Sequence, residues 1–395
     1  MFLDTITRRN PALIDAAISL HQSGELPANT YAFDLEAVHA NARTIAAEAG
    51  RLGITPYAML KQVGRNPDFT RAVMAGGIEA SVAVDIQDAR ATHRAGMRLG
   101  HVGHLVQVPR AEAPAAAAMA PEHWTVFGEH KAHEAASAAA GVGREQRLLA
   151  RVFAERDQFY SGHEGGFPAE DILTIAERLN ALPSASFAGI TTFPAMLFDK
   201  DQLIVRPTTN LQTLQEAAGR LRSAGWTDLQ VNAPGTTSTR TLAALAEAGA
   251  TQVEPGHALT GTTPWHAVED LPEIPAAVYV TEVSHRYGGR AYCFGGGLYV
   301  DPVFPPYQIR GVVGRSADQT EHLDATFPPR EAIDYYAQLD LGTGRAEPGD
   351  TVVFGFRIQA FITRAYTAGI TGIASGNPRV AGVYTTDGSP AAWPS

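Results

Sequence analysis

The sequence predicts a (β/α)8 barrel of the TIM type followed by a mostly β domain, and three observations predict it. Eight short apolar runs fall at 56–60, 80–84, 102–108, 124–127, 148–153, 187–193, 229–232 and 251–254. All but the last are followed by Ala-rich, helix-like sequence, at 67–75, 86–95, 111–120, 129–140, 169–181, 209–224 and 238–248. From Pro275 onward the chain is rich in Tyr, Val, Phe, Gly and Thr, with no clear helical stretch. Nearly all-apolar strands joined by helical crossovers mean a parallel sheet covered on both faces. Eight such units in about 200 residues point to a closed barrel, with an open doubly wound sheet as the alternative.

Taken in order, residues 1–30 read as an N-terminal extension: an amphipathic helix, then a loop containing Gly and Pro. Residues 31–36 read as a short strand that belongs either to the barrel or to the β domain. Residues 37–52 read as a helix, with Val38, Ala42, Ile45 and Ala46 at helical spacing. The barrel is expected over 31–265 and the β domain over 266–395. Strands in the latter are expected at 276–283, 308–313, 351–356 and 361–365, with Gly288-Gly289 and the glycines at 295–297 as turns.

Composition excludes several classes. The chain has 395 residues, 45% of them hydrophobic and 18% charged, enough to bury a core without a disulfide or metal staple. Cys293 is the one cysteine, so an intrachain disulfide and a zinc-thiolate cluster are excluded, and a reducing, cytoplasmic setting is expected. The formal net charge of -10 disfavours a nucleic-acid binder, which needs clustered Lys and Arg. The apolar stretch from Pro11 to Leu20 is interrupted by Asp15, unlike a secretory leader, and no uninterrupted apolar run is long enough to span a membrane.

Chemistry in such a barrel sits at the C-terminal ends of the strands. The first strand ends in Met59-Leu60-Lys61, a lysine placed for partial desolvation and nucleophilicity, although a solvated strand-end lysine reads the same way. The sixth ends in Thr191-Thr192-Phe193. The seventh ends in Asn232-Ala233-Pro234-Gly235-Thr236-Thr237-Ser238-Thr239, running into a helix. Backbone N–H groups, hydroxyls and a helix N-terminus suit a phosphate, where a simple cap would need a single hydroxyl. The eighth ends in Glu254-Pro255-Gly256-His257, with a carboxylate that should face a cation if buried. Lysine nucleophile, phosphate cradle and carboxylate are the three fixtures of a pyridoxal phosphate site.

These motifs, with Phe33-Asp34-Leu35-Glu36-Ala37-Val38-His39-Ala40-Asn41 and Gly189-Ile190-Thr191-Thr192-Phe193, resemble the alanine racemase-like, fold type III pyridoxal phosphate enzymes, most closely their YhfX-like branch. The resemblance runs in order from about residue 30 to residue 380. It implies that Lys61 carries the cofactor as a Schiff base and that Gly235, Thr236, Thr237, Gly256 and His257 hold its phosphate. Arg65 stands where racemases place a phosphate-contacting tyrosine, and Thr192 where they often place a ring-stacking histidine. Asn232 and His104 are further candidates for lining the cofactor. Glu254 departs from the racemases, which carry arginine there, and matches the decarboxylases of the fold. A carboxylate favours a protonated pyridine and hence a stronger electron sink.

In the β domain, Tyr287-Gly288 resembles the racemase tyrosine motif, and Cys293 before a Gly-rich turn resembles the decarboxylase acid/base cysteine. Either is expected to serve as the second base, supplied by the partner subunit of a homodimer with shared active sites. Arg286, Arg290 and Tyr292 are candidates for substrate binding. The arginine motif that racemases carry after the fifth strand is missing: the chain reads Arg156-Asp157-Gln158-Phe159-Tyr160 and then His163-Glu164-Gly165-Gly166-Phe167. Glu129-His130-Lys131-Ala132-His133-Glu134 has the look of a metal cluster but the position of a solvated helix start. His101 and His104, three apart on the expected third strand, should point to opposite sides.

The reading expects a racemase or epimerase that takes a proton from Cα of an amino acid by a two-base mechanism, and no metal. A decarboxylase or lyase of the same fold and a pyridoxal phosphate-binding protein without turnover are the alternatives. A metal-dependent barrel hydrolase built on His101, His104 and Glu254 is a further one.

Overall fold

A computed structural model describes residues 1–300, 307–329 and 331–393. The chain divides into two compact units. One comprises 43–60 and 77–256; the other comprises 1–42, 61–76 and 257–395.

The first unit is built on eight parallel strands. The first runs as Thr55–Pro56 and Ala58–Met59, and the others are Ala80–Val82, Arg98–Val102, His123–Val126, Gln146–Phe153, Ala185–Thr191, Gln230–Asn232 and Gln252–Val253. Each pairs with the next in chain order. The two halves of the first strand close the ring, with Pro56 beside Val253 and Met59 beside Val82. The sheet is therefore a barrel, and the open-sheet alternative falls. Helices follow the strands where caps start them: Asp85 accepts from the Asp88 backbone N–H at 2.8 Å at the head of Ile86–Arg94. Leu148, Leu149, Val152, Ile190, Val231 and Val253 are buried on the strands.

The third strand differs from expectation. It occupies Arg98–Val102, not 102–108, and ends where Gly103 turns at φ +77°. A Cβ on Gly103 would meet the Thr125 carbonyl at 2.7 Å, so this tight exit requires glycine.

The second unit centres on a nine-stranded, mostly antiparallel sheet. Its expected strand at 276–283 extends over Ala277–Tyr287 and returns as Arg290–Phe294. Gly288 and Gly289, both at positive φ, make the two-residue hairpin turn. The strand expected at 361–365 is instead a 3-10 turn, Ala360–Ile362, and the strand begins at Tyr366. The stretch 1–30 is not a separate extension. Its two helices, α1 (Phe2–Arg9) and α2 (Pro11–Gln22), bury Leu3, Ile6, Leu13, Ile14, Ile18 and Leu20 in one core with Val278, Val280, Val312 and Val353 of the sheet. The strand β1 (Thr30–Asp34) also belongs here: it pairs antiparallel with Ala277–Tyr287 and parallel with Tyr366–Thr371. The division therefore cuts the chain differently from the expected 31–265 and 266–395, with 61–76 and 257–265 also grouped in the β-domain unit. It passes immediately before Lys61 and His257, at the ends of the first and eighth barrel strands.

Candidate active site

In the barrel unit the strand ends bring together a buried polar cluster. Glu254 follows the eighth strand and is buried. His101 Nδ1 lies 3.1 Å from its Oε1, and His104 Nε2 lies 3.0 Å from its Oε2. The expectation that the two histidines point apart is thus corrected. The strand ends between them, and the turn at Gly103 swings His104 back toward the same carboxylate. Asn232 Nδ2 donates to Glu254 Oε1 at 2.8 Å and to Thr191 Oγ1 at 3.0 Å. Thr125 Oγ1 bonds His101 Nε2 from behind. Burial by itself pushes the Glu254 carboxyl up. The His104 and His101 rings and the Asn232 amide outweigh that and hold it below its ordinary value. The carboxylate is therefore ionised, and Asn232 Oδ1 is buried with no hydrogen-bond partner among the described residues. The donor atoms of His101, His104 and Glu254 lie within 4.8 Å of one another. Hydrogen bonding between imidazole and carboxylate accounts for that spacing.

Sequence reasoning missed Arg151. It lies on the fifth strand, fully buried, with its guanidinium 4.6 Å from the Phe127 ring centroid and 5.7 Å from that of Phe159. Nη2 donates to the His163 carbonyl at 2.7 Å, while Nε and Nη1 have no hydrogen-bond partner among the described residues. Burial lowers its pKa to about 10, so it remains a cation at neutral pH. The signal was present: a single arginine inside the apolar run Leu148-Leu149-Ala150-Arg151-Val152-Phe153. Rings of His104, Tyr160 and His163 surround Phe193, at centroid distances of 5.7, 5.8 and 6.1 Å. Thr192, the residue before it, is buried.

After the seventh strand, Gly235 packs so closely on the Met196 backbone that a Cβ would meet its carbonyl at 2.6 Å. Thr236 N–H donates to that carbonyl at 3.0 Å, and Ser238 N–H donates to Thr241 Oγ1 at 3.0 Å. These bonds present Gly235, Thr236 and Thr237 at the head of the helix Thr239–Glu247. Gly235 and Thr236 are half-buried, and Gly256 is half-buried after the eighth strand.

The β-domain unit holds the other candidates. Lys61 opens a short 3-10 turn, and its Nζ lies 5.3 Å from the Phe361 ring centroid. The Arg65 guanidinium stands 5.6 Å from the same ring, and its Nη1 donates to the Thr386 carbonyl at 3.1 Å. His257 Nε2 donates to the Ile358 carbonyl at 2.8 Å, and burial keeps the ring neutral.

Cys293 is fully buried in the sheet with Sγ 3.9 Å from the Ala337 carbonyl, and burial pushes its thiol up to about 12. A group so enclosed and so hard to ionise is poorly matched to proton transfer near neutral pH. Tyr287, at the hairpin, is 75% exposed. Tyr292 stacks on His285 at 4.6 Å. Arg286 pairs with Glu347 at 2.5 Å, and Arg290 bonds Gln338. The Glu129–Gly141 helix start bears Glu134 paired with Lys131 and His130, an ordinary solvated face.

Comparison with known proteins matches residues 33–264 to the family model "Alanine racemase, N-terminal domain" and 278–380 to "YhfX-like, C-terminal domain". The Escherichia coli (strain K12) protein YhfX is 36% identical over 397 residues, covering 98% of this chain and 99% of that protein. Among solved structures, D-threonine aldolase from Filomicrobium marinum superposes with a TM-score of 0.68 at 16% identity, covering 92% of this chain and 96% of that one. Alanine racemase from Clostridium difficile 630, in complex with cycloserine, gives 0.63 at 12% identity, with 91% and 99% covered. D-threo-3-hydroxyaspartate dehydratase from Delftia sp. HT23 gives 0.64 at 16%, with 90% and 97% covered. No helix among the described residues is long and apolar enough to cross a membrane.

Proposed function

Because the chain belongs to the alanine racemase-like family of fold type III pyridoxal phosphate enzymes, we propose that it removes the Cα proton of an amino acid and acts as a racemase or epimerase. The observation that carries Cα chemistry on a protonated ring is the buried Glu254 carboxylate, held below its ordinary value by its donors; racemisation is taken over elimination or decarboxylation from the family match alone. Pyridoxal phosphate supplies an aldehyde that condenses with amines and a ring that accepts the electron pair left when Cα loses its proton.

The residues fit that group. Glu254 Oε1 already accepts from two donors, while Oε2 faces His104 and retains capacity for one more. A ring N–H⁺ is the partner such a carboxylate needs. The unpartnered Asn232 Oδ1 offers a further buried acceptor. In this reading Lys61 Nζ would hold the cofactor's aldehyde carbon and would move a proton on one face of the substrate's Cα. Gly235, Thr236, Thr237, Gly256 and His257, with Arg65, hold the phosphate, and Thr192 and His104 line the ring. Arg151 meets negative charge with its two unbonded N–H groups. Tyr287, from the partner subunit of a homodimer, takes the proton on the other face in preference to Cys293, which is buried. Arg286, Arg290 and Tyr292 belong to the substrate side of that hairpin.

The test is direct. The loaded protein should show the yellow absorbance of lysine-bound cofactor, and Lys61→Ala should abolish it. Incubation with L- and D-amino acids in D2O should exchange the Cα proton of the substrate, read by proton NMR. A yellow band that survives Lys61→Ala sinks the assignment. The second reading is a β-eliminating lyase or decarboxylase, favoured by the same carboxylate. Released ammonia or CO2 without Cα exchange would select it.

A further inference from the structure

We propose that His101 and His104 are positioning residues that keep Glu254 ionised, so that the proton between it and the cofactor's ring nitrogen stays on the ring. The proposal rests on the reading of Glu254 given above and adds to it the device that sets the carboxylate's basicity.

The geometry defines the roles. The two N–H bonds of the Asn232 amide go to Thr191 Oγ1 and Glu254 Oε1. The remaining approach of Asn232 Nδ2 to His101 Nδ1 is longer, 3.4 Å, so His101 is assigned to donate to Oε1 through Nδ1–H, while its Nε2 bonds the Thr125 hydroxyl. A threonine, an imidazole and the carboxylate thus form one hydrogen-bonded chain ending on Oε1. His104 approaches the other oxygen at 3.0 Å, so both oxygens are supported. Among the described residues, the titratable groups bonded to Glu254 are these two histidines. Behind His101, paired with it across the strands, stands His123, which burial and the neighbouring His101 push down to about 3, leaving it neutral. Phe193 stands edge-on to His104.

Donors on a carboxylate lower its basicity. A carboxylate of low basicity does not take the proton from a pyridinium. A buried carboxylate stripped of its donors becomes more basic, and the pair relaxes toward neutral pyridine and carboxylic acid. An arginine in place of the imidazoles would pair the carboxylate fully and leave the ring nitrogen no counter-ion.

The experiment uses the full chain loaded with pyridoxal phosphate labelled with 15N in the ring. In the wild type the ring 15N resonance should lie at the protonated position. His101→Asn and His104→Asn should each move it toward the unprotonated position at the same pH and weaken cofactor binding about tenfold, the loss expected for a hydrogen bond to a charged group. Thr125→Val, which leaves both histidines in place, should move it the same way by less. This milder variant keeps the test alive if a histidine variant fails to fold. Resonances that stay at the protonated position in the variants overturn the proposal. So does a stoichiometric transition metal in the isolated protein that both histidine variants lose. An absent lysine-bound absorbance band, or a ring 15N position indifferent to Glu254→Gln, defeats instead the reading on which the proposal rests.

Discussion

Glu254 and Cys293 are buried to a similar degree, one in each unit, and burial treats them oppositely. Both are groups whose charged form an apolar interior penalises. Glu254 meets two imidazoles and an amide, and stays ionised below its usual range. Cys293 meets one backbone carbonyl at 3.9 Å, and its thiol is pushed up to about 12. The comparison teaches that burial does not decide whether a titratable side chain can do chemistry; the number and polarity of its partners do.

The largest effect should come from removing the charge that those partners preserve. Glu254→Gln keeps the shape and loses the ionised group. Cα exchange in D2O should fall about a hundredfold or more, the scale seen when one preorganised electrostatic contact is deleted from an active site. Loaded variant protein that exchanges Cα protons at the wild-type rate would break the comparison at its functional end.

The same comparison separates what the sequence made legible. The barrel was readable because crossover strands are apolar throughout and their helices rich in alanine, and Lys61, Glu254 and the Gly235–Thr237 run stand at the ends of such strands. The third strand was misplaced because 102–108 holds four large aliphatic residues, Val102, Leu105, Val106 and Val108, where the true strand Arg98–Val102 holds only Leu99 and Val102. That error hid the convergence of His101 and His104, since strand alternation forbids it and only the turn at Gly103 permits it. Arg151 escaped notice because its surroundings, Phe127, Phe159 and the His163 carbonyl, come from other parts of the chain. The enclosure of Cys293 was equally hidden, because it comes from pairing with Ala337 on one side and Val283 on the other.

A second, smaller effect tests burial without chemistry. His123 in the barrel unit and His21 on α2 are both enclosed, and burial pulls them from 6.5 to about 3 and about 4. Their native pKa values are depressed, so the folded state refuses protons that the unfolded chain accepts below 6.5. Their stabilisation is present above 6.5 and is lost as pH falls toward the folded values. At pH 5 each should have cost about 2 kcal/mol relative to pH 7. Urea unfolding at the two pH values should record the loss, and His123→Gln should remove the share belonging to the barrel unit. An unchanged acid sensitivity in that variant would show that His123 is not the group refusing the proton.

The smallest effect sharpens the other end of the comparison. Cys293→Ala deletes one sulfur from a packed sheet and should destabilise by about 1 kcal/mol, the centre of the range for single substitutions. Cα exchange should remain within about twofold of wild type, because a thiol that stays protonated near neutral pH contributes no proton transfer. The folded protein should also resist alkylation by iodoacetamide at pH 8 and react once unfolded in urea, since the thiolate is the nucleophile and burial withholds it. Rapid alkylation of the folded protein, or loss of exchange in the alanine variant at preserved stability, would return Cys293 to the active site and take Tyr287 out of its role. Tyr287→Phe completes the test, because with Cys293 excluded it alone should lose proton exchange on one face of Cα and keep it on the other, visible as D2O exchange of one enantiomer without conversion to its mirror image.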